Sequence, residues 1–186
     1  MKTRVLLQRA LTHWRAGSRI SIPEIIWFLI LLALMAGLDY LMPGKLPQHM
    51  VWLVPPFAAT LSILILIPEA ALAQPIPVVA GSTLGAALGT MAAMMGHGPI
   101  YAVLIAGLTL LVLSVLRIYH PPGVALSMYP LLLHPGAFFS ILVVFPFMLM
   151  AVTSAAVLSR HIKSWPNYPR PLEVVVSKST GCSVEE

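Results

Sequence analysis

Charge is what this chain has least of. Only 9% of its 186 residues are Asp, Glu, Lys or Arg, where a soluble globular domain carries about 25%. With 59% hydrophobic residues and a mean hydropathy of +0.91, the composition excludes an ordinary soluble domain and indicates an integral membrane protein. Cysteine is nearly absent. Cys182 stands alone in a polar tail, which excludes an intramolecular disulfide and a cysteine-based metal cluster. Six histidines and ten methionines are present, but no His-x-x-x-His pair occurs and the histidines fall singly in different loops. No metal, haem or other cofactor is expected. Neither a serine–histidine–acid arrangement nor paired intramembrane carboxylates stand out, so no enzymatic activity is expected. A small-x-small cleavage site is also lacking after the basic start, so the first apolar run reads as a span and not as a removed signal.

The charge that is present, formally +5, collects at the ends: Lys2, Arg4, Arg9, Arg15 and Arg19 at the start, Arg160, Lys163, Arg170 and Lys178 at the finish. In a membrane chain this is an orientation signal before it is a nucleic-acid signal. Both termini are expected on the cytoplasmic side of a bacterial inner membrane, against the lipid bilayer, with no nucleic-acid partner. Within residues 1–20, the stretch 3–16 puts Val5, Leu6, Ala10, Leu11 and Trp14 near one helical face. It reads as a basic amphipathic helix on the lipid surface, or else as an unstructured charged leader.

Residues 21–160 hold six apolar segments, and 161–186 form a cytoplasmic tail. Segment one runs from Ile25 to about Met42, after Ser21, Pro23 and a first-turn Glu24. Segment two covers Val51–Ile67, but Pro55 and Pro56 should start its helix and Pro68 end it. That leaves about 13 residues, roughly 20 Å, against a hydrocarbon core of about 30 Å. Segment three runs from Pro75 to Gly96. Gly81, Gly85 and Gly89 recur every fourth residue, so they stack on one face and admit a close neighbour. Segment four runs from Ile100 to Leu116. Segment five, Pro121–Leu133, is again short and Pro-led, and is disturbed by Pro130. Segment six runs from Ala137 to Leu158 with a kink expected at Pro146.

The architecture expected is therefore all-α, a polytopic transmembrane bundle of about six segments. The two short, Pro-led segments occupy the same place in each half. A three-segment unit repeated in tandem is inverted in a membrane, and matching Pro-interrupted segments point to a midplane binding site. The competing reading is that proline pairs simply mark ordinary helix starts.

The richest stretch is Arg117-Ile118-Tyr119-His120-Pro121-Pro122-Gly123. Two prolines suit a first helical turn but not an interior, so a helix should start here with Arg117 and His120 ahead of its positive end. Arg117 is either a snorkelling anchor or a cation that attracts an anion. His120 is either a polar cap or a group that binds the anion or carries a proton. Thr60 and Ser127 are hydroxyl donors inside the short helices, or bond back to their own backbone. The site expected comprises Arg117, His120, Pro121, Pro122 and Gly123 with Pro55, Pro56, Thr60 and Ser127 from both segments. Asp39 reads as interfacial, Glu69 as a solvated loop residue, and His97 and His134 as weak candidates.

The same stretch, Arg117-x-x-His120-Pro121-Pro122-Gly123, resembles the signature of the HPP family of integral membrane proteins. Pro56-Phe57-x-Ala59-Thr60 and Leu72-Ala73-Gln74-Pro75 followed by Gly81 resemble two further blocks, in order. Together they cover roughly Pro55–Leu158. Ser82 departs from the pattern, because that position is often histidine in the family, and the residues just after Pro122 are less small than usual. The resemblance implies a multi-spanning protein and suggests nitrite transport, associated with chloroplast and cyanobacterial members. The expected function is thus transmembrane transport of a small, nitrite-like anion, with proton coupling left open by His120. The alternatives are a passive anion channel and a structural or regulatory membrane module that moves nothing. The sequence leaves the oligomeric state open: the Gly81, Gly85 and Gly89 face packs within one chain or between two, and six short spans make a small bundle, which favours a homo-oligomer.

Overall fold

The structure is a computed structural model and describes residues 20–41 and 54–169. The amphipathic stretch 3–16, the loop 43–50 and the tail beyond residue 169 lie outside these. Six helices follow one another: α1 (Ile22–Leu41), α2 (Pro55–Leu66), α3 (Pro77–Ala93), α4 (Pro99–Val115), α5 (Pro121–Leu133) and α6 (Ser140–His161). No strand occurs among the described residues. Of the six, α1 and α6 are long and apolar enough to cross a membrane, and the other four are shorter. Segments three and four, expected as full spans, are among the shorter ones. Segment three, expected over Pro75 to Gly96, narrows to Pro77–Ala93, while segment four keeps its expected length as Pro99–Val115.

Each start has a local cause. The first, α1, opens on Ser21-x-x-Glu24, and the Ser21 N–H donates to Oε2 of Glu24 at 2.7 Å, one arm of a capping box. Both α2 and α5 open on proline pairs, in whose first turn the missing N–H groups cost nothing. Both α3 and α6 begin with a wide π-turn, Pro77–Gly81 and Ser140–Val144, before continuing as α-helix. The disturbance expected at Pro146 takes this form. Its ring and missing N–H fall just after the wide turn, which accommodates them without ending the helix.

Trp27, Leu31 and Met35, four residues apart on α1, face the core, while Leu29 and Ile30 are exposed. The core they join takes Phe57, Leu61 and Leu64 from α2, Leu126 and Tyr129 from α5, and Val143, Phe147, Met148 and Ala151 from α6. Phe57 and Phe147 stack with centroids 4.0 Å apart, a contact worth about 1 kcal/mol beyond its buried area. The indole N–H of Trp27 donates to the Ser154 hydroxyl of α6 at 2.9 Å, and Trp165 closes over Trp27 edge-on. By contrast α4 is peripheral. It buries Ala102, Thr109 and Leu113 and exposes Val103, Leu104, Leu111 and Val115.

The tightest seam joins α3 to α5. A β-carbon on Gly81 would run into the Ile118 carbonyl, one on Gly85 into the Gly123 carbonyl and one on Gly89 into the Ser127 carbonyl. Both helices advance together along this register, so they run parallel, backbone to backbone. The glycine ladder is a packing surface, as its spacing indicates, and its partner is α5.

Candidate functional site

The site follows from how α5 starts. After α4 ends, the chain reverses at Arg117, which adopts the left-handed conformation (φ 57°). The Arg117 N–H donates to the Ser114 carbonyl and the Ile118 N–H to the Leu113 carbonyl, the paired bonds of a Schellman turn, with Arg where Gly is usual. The turn points Arg117 and His120 to different places. Arg117 is exposed, and its side chain makes no hydrogen bond or ion pair among the described residues. His120 is fully buried.

His120 uses both ring nitrogens. Nδ1 lies 2.8 Å from the Leu72 carbonyl and Nε2 lies 3.1 Å from Oγ1 of Thr60. A carbonyl only accepts, so Nδ1 carries a proton and donates to Leu72. In the neutral ring Nε2 therefore accepts from the Thr60 hydroxyl. In the charged ring Nε2 donates, and Thr60 turns its proton to the Pro56 carbonyl 3.1 Å away. Thr60 is itself fully buried in α2. One imidazole thus ties the start of α5 to α2 and to the short turn Ala71–Ala73 ahead of α3.

The two proline-led starts match in detail. Val54 and His120 are both extended N-caps (φ −118°, ψ 139° and φ −136°, ψ 113°), and both are fully buried. The Phe57 N–H donates to the Val54 carbonyl at 3.0 Å, and the Gly123 N–H to the His120 carbonyl at 2.9 Å. With two prolines ahead of each, the first three positions of either helix offer no free N–H. The positive end of the dipole remains, but the donors that usually hold an anion at a helix start are absent or engaged. Polar chemistry here must come from side chains.

Ser82 supplies it. It is fully buried, and its hydroxyl has no partner among the described residues. Its Cα lies 3.2 Å from where a β-carbon on Gly123 would stand, so it rests against the first turn of α5. A buried hydroxyl without a partner costs about 1–3 kcal/mol; Ser21, Thr109 and Tyr168 carry such atoms too, and Ser82 differs from them by its place against the first turn of α5. Ser82 entered the sequence reading only as a departure from a pattern. Its burial against α5 depends on the α3–α5 seam, which local sequence does not reveal.

Of the other expected site residues, Gly123 and Pro122 are buried in the α3–α5 seam, Pro121 is half-buried, and Pro55 is exposed beside a half-buried Pro56. Ser127 is buried and donates to the Val124 carbonyl of its own helix at 2.7 Å. The structure therefore joins His120 to Thr60, sets the backbone of Ser82 against the first turn of α5, turns Arg117 outward and gives Ser127 a bond within its own helix. Asp39 lies half-buried in the last turn of α1. His97 and His134, remote in sequence, stack with ring centroids 4.1 Å apart. Among the described residues no group of three or more His, Cys, Asp and Glu is arranged to hold a metal ion.

No curated protein and no solved structure matches the chain. The family description "HPP, transmembrane region" matches residues 17–169, a stretch that includes every element described above. The two membrane-length helices and the apolar surface of α4 agree with it. This chain belongs to the HPP family of membrane proteins.

Proposed function

We propose that the chain moves a small anion of nitrite size across a bacterial inner membrane, with His120, Thr60 and Ser82 at the centre of the route. The observation that carries this reading is the fully buried His120–Thr60 pair at the start of α5; Ser82, also buried, packs its backbone against the same first turn. A small anion takes a hydrogen bond from Ser82 and favourable potential from the dipole, without a full buried counter-charge. Protonation of His120 would reverse its bond to Thr60, whose hydroxyl then turns from Nε2 to the Pro56 carbonyl. Arg117, at the surface, attracts the anion toward the protein.

The halves α1–α3 and α4–α6 support an inverted repeat. Each presents a longer helix, a short helix led by a proline pair, and a helix opening with a π-turn. The π-turn of α3 packs on α6, and that of α6 packs on α3. On this reading His120–Thr60 is the polar link between the halves, and relative movement of the halves opens and closes it. All six helices cross, and both termini are cytoplasmic.

Purified protein in proteoliposomes is expected to raise nitrite, nitrate or formate flux above that of empty vesicles. Ser82→Ala and His120→Ala, shown to be folded, are each expected to cut that flux at least tenfold. Flux equal to empty vesicles, or folded variants with unchanged flux, overturns the reading. A structural module is the second reading, favoured by one observation: both His120 nitrogens are already occupied by protein groups.

A further inference from the structure

We propose that His97 and His134 form a binding site for a soft monovalent metal ion, copper(I), at the end of the bundle away from His120. The two residues are 37 positions apart, and the fold makes them neighbours. Helices α4 and α5 run out and back, so the turn before α4 and the turn after α5 share one end. The Gly98 N–H donates to the Leu131 carbonyl at 3.1 Å and pins the first turn to the end of α5. The rings lie 4.1 Å apart at 30°, and both residues are exposed.

Three features mark the pair as more than a chance contact. His134 is the left-handed C-cap of α5 (φ 52°), its N–H bonded to the Pro130 carbonyl, a helix ending that fixes where the residue stands. Beside the rings lies a cavity of about 170 Å³, lined by His97, His134, Thr90, Met94 and Pro130 among others. No carboxylate lines it, so a hard or highly charged cation finds no counter-charge there. Two imidazoles with a thioether are instead a donor set for copper(I). An imidazole lone pair lies in its ring plane, so the two rings splay out of their stack to reach one ion at about 2.0 Å, a movement open to two exposed side chains. The ion binds and leaves as copper(I), with no redox step. Bound there, it ties the α3–α4 turn to the α5–α6 turn. The site stands independently of the transport reading.

The test uses the full chain in detergent under reducing conditions, in a Cys182→Ser background, because a free thiol competes for copper(I). Copper(I), delivered from a chromophoric chelator, is expected to bind in one tight equivalent. His97→Ala and His134→Ala, each checked for folding by thermal unfolding, are expected to weaken binding at least tenfold. His161→Ala, at the exposed end of α6, is expected to leave it unchanged. Absence of a tight equivalent, or an affinity in both histidine variants equal to that of the chain carrying both histidines, overturns the proposal. Tight zinc(II) binding without copper(I) binding overturns the choice of metal.

Discussion

His120 commits both ring nitrogens to the fold, and this allows its structural and functional roles to be separated. His120→Ala removes the donor to Leu72 and the partner of Thr60 and leaves a void where a fully buried ring stood. The expected loss is about 2–4 kcal/mol. His120→Asn places an amide nitrogen near the position of Nδ1. It keeps the bond to Leu72 and ends short of Thr60, so the expected loss is about 1 kcal/mol. Thermal unfolding in detergent ranks the two. If His120 works in transport, flux falls as far in His120→Asn as in His120→Ala, because both cut the Thr60 link. If it is only a clamp, flux follows stability and His120→Asn keeps most of it. Arg117 has no such double part. Its left-handed turn sends it outward, although the sequence sets it three residues from His120.

At the scale of elements the α3–α5 seam dominates, and two kinds of glycine distinguish it. Gly85 and Gly89 have no room for a β-carbon, because the carbonyls of Gly123 and Ser127 occupy it. Those obstacles are backbone, which cannot swing away like a side chain. Gly85→Ala and Gly89→Ala are expected to destabilise by about 1–3 kcal/mol or more. Gly107, midway along α4, has nothing within 4 Å of its β-carbon position. Gly107→Ala is expected to stabilise by up to about 1 kcal/mol through helix propensity alone. Comparative thermal unfolding checks the contrast, and equal effects at Gly85 and Gly107 would remove the seam from its place as the tightest contact. Much of this was legible in the chain. A four-residue glycine period can only be one helix face, and a proline pair flanked by apolar runs can only start a helix. What the ladder faces was not legible, because the partner lies some forty residues away and local pattern carries no address. The meeting of His97 with His134 was hidden for the same reason. The π-turns were half legible: Pro146 inside segment six announced a disturbance but not its form, and Pro77 fits an ordinary helix start equally well.

For the whole molecule the open quantity is the number of crossings, and α5 decides it. At about 20 Å it is shorter than a bilayer core, so length alone allows a re-entrant hairpin. The register against α3 argues for a crossing. Gly81 meets Ile118, Gly85 meets Gly123 and Gly89 meets Ser127, so α5 accompanies α3 in the same direction along its length. His134 then arrives beside His97, at the end where α3 finished. A hairpin would instead bring the chain back to the end where α4 finished. On the proposed topology three crossings, α4 to α6, separate Met95 from Cys182, and an odd number puts them on opposite faces. Met95 is 85% exposed, which makes Met95→Cys in a Cys182→Ser background a fair reporter. In right-side-out vesicles a membrane-impermeant maleimide is expected to label Met95→Cys and to spare the natural Cys182 until the membrane is opened. Labelling of both from the same face would mean that α5 turns back, and the two halves would then not be inverted copies.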